Sequence, residues 1–236
     1  MMRNILIQGA QKLGIKLTDE TTEKFKRYYE YLEDKNRVMN LTAINGAKEV
    51  AELHFLDSLA LLTLGTFADK SIIDIGSGAG FPGIPMKIAE PSIRLTLLDA
   101  QKKRIAFLEE LCAQLSLFDI SCLHARAEEA ALLPDMRDHF DSAVSRAVAR
   151  LNILAEMCLP FVKTGGTLIA MKGTDSDDEI KEAENAFSVL GAELVKVTDY
   201  EIPGTGIWHR VIEIRKISAT PAGFPRRFAR IEKKPL

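Results

Sequence analysis

A glycine-rich segment between an apolar run and two prolines constrains the fold of this 236-residue chain most strongly. Residues 72–75 are apolar except for one acid and indicate a buried parallel strand, after which glycines occupy the alternate positions 76, 78 and 80. Pro82 and Pro85 bracket the expected start of a helix, because proline is tolerated in the first helical turn. Strand, loop and helix N-terminus together predict a cradle for an anionic group.

The glycine spacing indicates which ligand the cradle holds. A dinucleotide fingerprint would need its third glycine at position 81, where the chain has Phe81. The pattern Asp-x-Gly-x-Gly-x-Gly instead resembles motif I of the Rossmann-like S-adenosylmethionine (SAM) methyltransferases, whose loop holds the amino-acid end of SAM. A glycine-rich turn without a ligand is disfavoured, because three alternating glycines cost conformational entropy. The loop residues predicted to bind the cofactor are Asp74, Gly76, Ser77, Gly78 and Gly80.

Strands and helices alternate from residue 71 onward, which is typical of a doubly wound α/β sheet. Two final strands, 193–198 and 207–214, are joined by a Pro-Gly-Thr-Gly connection and read as an antiparallel pair. We therefore predict a Rossmann-like class I SAM-dependent methyltransferase with a seven-stranded, mostly parallel sheet and helices on both faces. The predicted divisions are an N-terminal helical extension (1–66), including one helix over 48–64, a SAM-binding core (67–217) and a basic C-terminal tail (218–236).

Composition limits the partners and the location. The net charge of −2 hides a C-terminal segment, residues 201–236, with eight basic and three acidic side chains. That segment suits a nucleic-acid partner, although a solvated tail explains it equally well. No apolar run is long enough to cross a membrane, and the three cysteines lack Cys-x-x-Cys spacing. We expect a cytoplasmic protein with reduced thiols and no metal.

Three further strand ends carry candidate site residues. Asp99 ends the second predicted strand, where an acid can bind ribose hydroxyls; alternatively it caps the helix that starts near Gln101. Ala127 and Glu128 follow the third strand, where this class frames the adenine, although Glu128 also suits a first helical turn. Arg146 ends the fourth strand, at the edge where open sheets place chemistry, unless it merely pairs with an acid.

Several motifs together resemble one family along essentially the whole chain, the bacterial RsmG (GidB) methyltransferases. The motifs are Asn-Leu-Thr at 40–42, His54-x-x-Asp57-Ser58, the proline-containing glycine loop, Ala-Glu-Glu at 127–129, Ser145-Arg146-Ala147 and Met-Lys-Gly at 171–173. The resemblance implies transfer of the SAM methyl group to N7 of a guanine in 16S ribosomal RNA. It also implies that 16S RNA, or the small ribosomal subunit, is the partner; we expect the protein to act as a monomer.

The resemblance implies roles for individual residues as well. The implied cofactor contacts are Gly76, Phe81, Asp99, Ala100, Gln101, Ala127, Glu128 and Arg146. Arg146 would also position the reactants for catalysis. Asn40, His54 and Lys172 would line the acceptor side. For RNA docking we predict the basic residues Lys102, Lys103, Arg210, Arg226 and Arg227.

The absence of two motifs limits which acceptor atoms could be methylated. Methylation of a pyrimidine C5 needs a cysteine nucleophile, and none follows the fourth strand directly. Enzymes that methylate an exocyclic adenine amine place an Asn/Asp-Pro-Pro-aromatic motif where this chain has Ser-Arg-Ala. Guanine N7 already has an available lone pair, so in-line displacement there needs no base, and alignment contributes ~7–11 kcal/mol. A methyltransferase acting on a small molecule or a protein, and a SAM-fold scaffold without activity, are the alternatives.

Overall fold

Seven strands form one sheet in the computed structural model, which describes residues 1–146 and 148–236. The strands are β1 Ser71–Ile75, β2 Arg94–Asp99, β3 Ile120–His124, β4 Phe140–Arg146, β5 Val162–Gly173, β6 Ala192–Glu201 and β7 Trp208–Lys216. Their order is β3-β2-β1-β4-β5-β7-β6, with β7 antiparallel to both of its neighbours and the other pairs parallel. The predicted fold class is confirmed. Ala147, the last residue of the predicted Ser-Arg-Ala motif, lies outside the described residues.

Helices precede the sheet and then alternate with its strands. They are α1 Met2–Lys12, α2 Asp19–Met39, α3 Ala47–Val50, α4 Asp57–Leu59, α5 Gly83–Ala89, α6 Lys102–Gln114, α7 Ala127–Ala130, α8 Leu151–Cys158, α9 Asp177–Val189 and α10 Phe228–Lys233. Helix α2 begins at Asp19, because Thr18 and Thr21 form a reciprocal capping box there. None of the helices in the described part of the chain is long and apolar enough to cross a membrane.

The helix predicted over 48–64 is not one regular α-helix. A π-helical segment, Ala51–Leu56, separates α3 from α4, and a 3₁₀ turn, Ala60–Thr63, ends the run. The π-helical segment contains His54, and Asp57 follows it directly. Irregular turns of this kind are frequent at functional sites, because they re-aim side chains that a regular helix would place elsewhere.

The N-terminal helices share a hydrophobic core with one face of the sheet. Phe25, Tyr28 and Phe55 are fully buried and pack in the same cluster as residues of β1 and β2. The Tyr28 hydroxyl donates a hydrogen bond of 2.5 Å to the carbonyl of Ala79 in the glycine loop. Helices α7, α8 and α9 cover the other face. The extension is therefore a layer of the fold that contacts the glycine loop directly.

The predicted C-terminal tail, residues 218–236, is packed on the core. Ile231 of α10 is fully buried, and Arg137 donates hydrogen bonds to the carbonyls of Thr220 and Phe224. Arg226 forms an ion pair with the buried carboxylate of Glu156 on α8. This arrangement differs from the prediction of a basic tail, because part of its charge is used internally.

Candidate active site

The glycine loop after β1 needs residues without a Cβ. Gly76 has φ = 73° and Gly80 has φ = 101°, in the region that side chains other than glycine rarely adopt. A Cβ on Gly76 would lie 2.6 Å from a methyl carbon of Val148. A Cβ on Gly80 would lie 2.6 Å from Ile84 and 2.7 Å from the Tyr28 hydroxyl. Gly76 thus keeps space beside the strand end, whereas Gly80 permits packing of the N-terminal layer.

Asp74 lies behind the loop. Its carboxylate is fully buried, and Oδ2 accepts a hydrogen bond of 2.9 Å from the backbone N–H of Gly83 at the start of α5. No partner for Oδ1 occurs among the described residues. Burial raises the pKa of Asp74 to about 7. The side chain therefore anchors the helix N-terminus to β1.

A cavity of about 320 Å³ opens at the carboxyl ends of β1, β2 and β4. It is lined by Ile75, Gly76, Leu98, Asp99, Ala100, Gln101, Arg104, Ala125, Ala127, Arg146, Val148 and Met157. We refer to it as the cofactor cavity, because Gly76, Asp99, Ala100, Gln101, Ala127 and Arg146 are residues predicted to bind SAM. Its volume lies within the range of small-molecule sites.

Asp99 joins the tip of β2 to the glycine loop. Its Oδ1 accepts a hydrogen bond of 2.8 Å from the backbone N–H of Gln101, and its Oδ2 accepts one of 3.0 Å from Gly78. Arg104 lies 3.4 Å from the same Oδ2. Through these bonds Asp99 orders the backbone just before α6. It also lines the cofactor cavity.

The other predicted cofactor residues do not line this cavity. Ser77 is buried and donates its hydroxyl to the carbonyl of Asp74. Glu128 is buried, with a carboxylate oxygen 3.8 Å from Arg126. Phe81 stacks between the rings of Tyr28 and His54, at centroid distances of 5.4 and 4.2 Å. Asp74 contacts α5 through its carboxylate, Gly78 donates its backbone N–H to Asp99, and Gly80 packs against Tyr28. Their binding roles stay predictions.

Arg146 at the end of β4 is held by the N-terminal layer. Its Nη1 donates to Asp57 Oδ2 at 2.9 Å and to the carbonyl of Leu53 at 3.1 Å, and its Nη2 donates to His54 Nδ1 at 2.9 Å. The guanidinium carbon lies 5.0 Å from the centre of the Phe81 ring. The side chain is only 16% exposed. Contacts with the protein therefore fix its position.

His54 is a neutral imidazole. Burial, reinforced by the charge of Arg146, lowers the pKa of His54 to about 3. Because Nδ1 accepts from Arg146, Nε2 carries the proton and donates to the Thr42 hydroxyl at 2.8 Å. Both ring nitrogens are thus occupied, and His54 acts as a support for Arg146.

Asp57 connects Arg146 to the last two strands. Its Oδ1 accepts hydrogen bonds from the Tyr200 hydroxyl at 2.6 Å and from His209 Nδ1 at 2.8 Å. Burial alone would raise the pKa of Asp57, but the hydrogen bond from His209 and the charge of Arg146 lower it. Sequence reasoning missed Tyr200 and His209 entirely. It noted Asp57 only within a motif, although the three-residue spacing from His54 in an apolar helix is a usable signal.

A second cavity, of about 570 Å³, adjoins this network. It is lined by Ile44, Leu53, His54, Asp57, Arg146, Met171, Lys172, Gly173, Ile207 and His209. We refer to it as the acceptor cavity, because its wall includes His54 and Lys172, two residues predicted to line the acceptor side. Arg146 belongs to the walls of both cavities, so the two spaces meet at one side chain.

Three of the predicted RNA-binding cations are engaged in internal ion pairs. Arg210 contacts the carboxylates of Asp199 and Asp177, both at 2.6 Å. Arg226 is paired with Glu156. Lys172 lines the acceptor cavity, and its Nζ lies 2.7 Å from Glu179. Carboxylates thus already neutralise Arg210 and Arg226, and the predicted roles of these two residues in RNA binding stay predictions.

Of the other predicted RNA contacts, His54 is buried, whereas Asn40, Lys102, Lys103 and Arg227 are exposed. Lys102 and Lys103 lie in the first turn of α6, next to the mouth of the cofactor cavity. Arg227 immediately precedes α10. Asn40 ends α2 in a left-handed conformation with φ = 51°, at the entry to the segment that leads to Thr42.

The protein is similar to solved structures of methyltransferase fold. The crystal structure of M. jannaschii TYW2 in complex with AdoMet matches with a TM-score of 0.52 and 15% identity, covering 65% of this chain and 72% of that one. TrmN from Thermus thermophilus matches with a TM-score of 0.53 and 20% identity, covering 77% of this chain and 53% of that one. At these identities the matches show the fold alone.

Sequence relatives are much closer. Residues 21–205 match the profile of the family described as GidB, rRNA small subunit methyltransferase G. A protein of that name from Alkaliphilus oremlandii is 45% identical, covering 100% of this chain and 99% of the relative. Another, from Acetivibrio thermocellus, is 43% identical, covering 100% and 97%. The resemblance seen in the motifs is confirmed. The chain belongs to the rRNA small subunit methyltransferase G (GidB) family of SAM-dependent rRNA methyltransferases.

Proposed function

We propose that this enzyme transfers the methyl group of SAM to N7 of one guanine in 16S ribosomal RNA of the small subunit. The observation that carries the proposal is the shared wall of the two cavities. A base in the acceptor cavity and a ligand in the cofactor cavity would both contact Arg146. This adjacency suits a group transfer between the two sites, because positioning of donor and acceptor is the main requirement of the reaction.

The cofactor cavity fits SAM in chemistry as well as in size. Gly76 leaves room for close approach of a ligand to the backbone, Asp99 offers a carboxylate at the strand tip, and Ala127 adds a small apolar wall. When bound, SAM supplies an electrophilic methyl group on a sulfonium sulfur. Gly76, Asp99, Ala100, Gln101, Ala127 and Arg146 are the residues that would hold it.

The side chains around the acceptor cavity suit a nucleophile that needs no deprotonation. His54 is neutral with both nitrogens bonded, and Asp57 is fully buried and bonded at both oxygens. Cys158 is buried, and burial raises its pKa far above the usual value, so it is no nucleophile. Guanine N7 has a free lone pair and matches such a site. Arg146 would then position base and cofactor.

We infer that RNA approaches over the exposed cations beside the cofactor cavity. Lys102 and Lys103 occupy the first turn of α6, where cations are unfavourable for the helix because its N-terminus is already positive. The combined positive potential favours a phosphate. Arg227 is a second exposed contact. We further infer that the enzyme acts as a monomer in the cytoplasm, where small subunits are assembled; analytical ultracentrifugation at assay concentration tests the monomer.

The test incubates purified protein and methyl-labelled SAM with small subunits from cells that lack this gene. Strand cleavage at N7-methylguanine then maps the product. We expect label at a single guanine of 16S RNA, and none with subunits from wild-type cells, which are already modified. Label in protein or in small molecules, with none in RNA, would overturn the proposed substrate while leaving the fold and cofactor intact.

A further inference from the structure

One histidine at the acceptor cavity has no part in the support of Arg146. His209 lies on β7, opposite Gly173 of β5 and Tyr200 of β6. Its Nδ1 lies 2.8 Å from Asp57 Oδ1, and its side chain is 33% exposed at the cavity wall. Asp57 is ionised, so Nδ1 of a neutral His209 carries the proton. Its Nε2 is then an acceptor, and within the described residues it has no hydrogen-bond partner.

We propose that His209 is a substrate-contacting residue whose neutral Nε2 accepts a hydrogen bond from N1–H of the target guanine. Asp57 is the positioning residue that orients the ring. The inference rests on the proposed function and deepens it, because it assigns the residue that distinguishes guanine from adenine in the acceptor cavity. Adenine lacks a proton on N1 and would leave Nε2 unpaired.

The chemistry of the cavity wall points to His209 rather than to its neighbours. Guanine presents donors at N1 and at its amino group, so its recognition needs an acceptor. Among the described side chains that line the cavity, His54 Nδ1 already accepts from Arg146, and Asp57, whose oxygens both accept hydrogen bonds, is fully buried. Lys172 and Arg146 supply only donors. His209 is therefore the side chain with acceptor capacity to spare.

The reaction makes this contact stronger in the transition state than in the ground state. The N7 lone pair forms the bond to the methyl carbon, the former carbon–sulfur pair stays on sulfur, and the positive charge moves to the purine. That charge makes N1–H more acidic, so its hydrogen bond to Nε2 strengthens as the bond forms. No proton leaves N1 in the step. An interaction of this kind raises kcat rather than lowering KM.

Protonation of His209 would abolish the contact, because Nε2 would become a donor facing N1–H. The groups that face the ring are Asp57 from the helical segment, Tyr200 from β6, Arg146 from β4 and Lys172 from β5. The hydrogen bond to Asp57 raises the pKa of His209, although burial and Arg146 oppose the shift. Asp57 stays ionised and Tyr200 stays protonated over the same range, since their pKa values are lowered and raised respectively. Activity therefore falls on the acid side, with a midpoint above ~6.5.

The test measures single-turnover methylation of unmodified small subunits between ~pH 5.5 and ~pH 9. It compares wild type, His209→Ala and His209→Gln with His139→Gln. This matched control changes an exposed histidine just before β4, at the amino-terminal ends of the strands and far from the acceptor cavity. We expect His209→Ala to lower kcat about 10- to 100-fold with little change in KM. His209→Gln, which keeps an acceptor but does not titrate, should retain more activity and lose the acid limb. The control should match wild type.

Two further readouts separate a base contact from a structural role. The imidazole of His209, assigned in NMR spectra by its loss in His209→Gln, should titrate at the midpoint of the acid limb. SAM affinity measured by calorimetry should be unchanged in both variants. Wild-type kcat and an unshifted acid limb in both variants would overturn the proposal, as would an equal loss of SAM affinity and kcat. If His209→Ala does not fold, His209→Gln and the wild-type titration decide the result. Absence of any label in RNA from wild type overturns the proposed function instead.

Discussion

The cofactor cavity and the acceptor cavity share Arg146, but the backbone shapes most of one wall and side chains shape most of the other. Backbone conformation shapes the cofactor side: a glycine loop, a strand tip and the first turn of α6 supply most of its wall. Side chains shape the acceptor side, and they come from the N-terminal layer, β4, β5 and β7. Changes to the glycine loop should therefore affect SAM affinity, whereas changes to the acceptor side should affect transfer and stability together.

Removal of the shared side chain should have the largest effect. Arg146→Ala deletes the contact common to both cavities and leaves the buried Asp57 with two partners instead of three. We expect methyl transfer to fall by about 10²–10³-fold, a size typical of a lost charge-stabilising donor. Single-turnover assays with small subunits measure it. Arg146→Lys is the matched control, since it keeps the charge but not the fork of donors, and it should recover only part of the rate. Full activity of a folded Arg146→Ala protein would contradict the proposed role of Arg146 between the two cavities.

The acceptor network should also carry stability that depends on pH. Asp57→Asn weakens the bonds to Arg146 and His209, and we expect a loss of about 1–3 kcal/mol in the free energy of unfolding at neutral pH. The lowered pKa of Asp57 means that its contribution is present above the unfolded-state value of ~3.9 and is lost as pH falls through the lower folded value.

Denaturant melts at several pH values measure this difference. Wild type and Asp57→Asn should differ most near neutrality and converge under acid. The raised pKa of His209 acts in the opposite sense: its contribution is present below ~6.5 and is lost as pH rises through the folded value. A stability difference that does not change with pH would argue that Asp57 acts by packing alone.

A backbone change on the cofactor side should be smaller and more selective. Gly76→Ala places a Cβ 2.6 Å from Val148, in a conformation with φ = 73° that alanine rarely adopts. Because Val148 lines the cofactor cavity, we expect about tenfold weaker SAM binding by calorimetry, equivalent to about 1.4 kcal/mol. Gly65→Ala is the control, since no atom lies within 4 Å of its added Cβ. Unchanged SAM affinity in Gly76→Ala would show that loop geometry does not shape the cavity.

Surface cations should have the smallest effect on chemistry. Replacing Lys102 and Lys103 together with alanine should weaken RNA binding about equally for all sequences. It should also reduce the slope of log affinity against log salt by about 1–2. Fluorescence anisotropy with a 16S RNA fragment measures both. Arg210→Ala, which removes an internally paired cation, is the contrast: its salt slope should match wild type. A larger slope change for Arg210 than for the lysines would reverse our assignment of the RNA surface.

The two sides of the site also differ in how far sequence reasoning reaches. The glycine loop is predictable because its requirements are local: a strand, left-handed backbone and a helix start within 15 residues. The contact of Asp57 with Tyr200 joins residues 143 apart, and it exists only because the strand order places β7 and β6 beyond β5. No periodic pattern in the sequence predicts that contact.

The charge count of residues 201–236 shows the same limit of local sequence reasoning. Eight basic residues against three acidic ones suggest a free cationic surface. Arg226, however, meets Glu156 from α8, and Arg210 meets Asp177 from α9, so the neutralising acids lie outside the segment. The π-helical segment at 51–56 was equally hidden, because its residues are compatible with an ordinary α-helix and only the contacts of His54 and Asp57 reveal its use.

The most direct test of the shared wall is a crystal structure with S-adenosylhomocysteine and an RNA fragment that contains the target guanine. We expect the adenosyl ligand in the cavity lined by Gly76 and Asp99, and the guanine ring in the cavity lined by Met171 and His209, with Arg146 touching both. A guanine bound elsewhere, with the acceptor cavity filled by protein or solvent, would contradict the proposed arrangement.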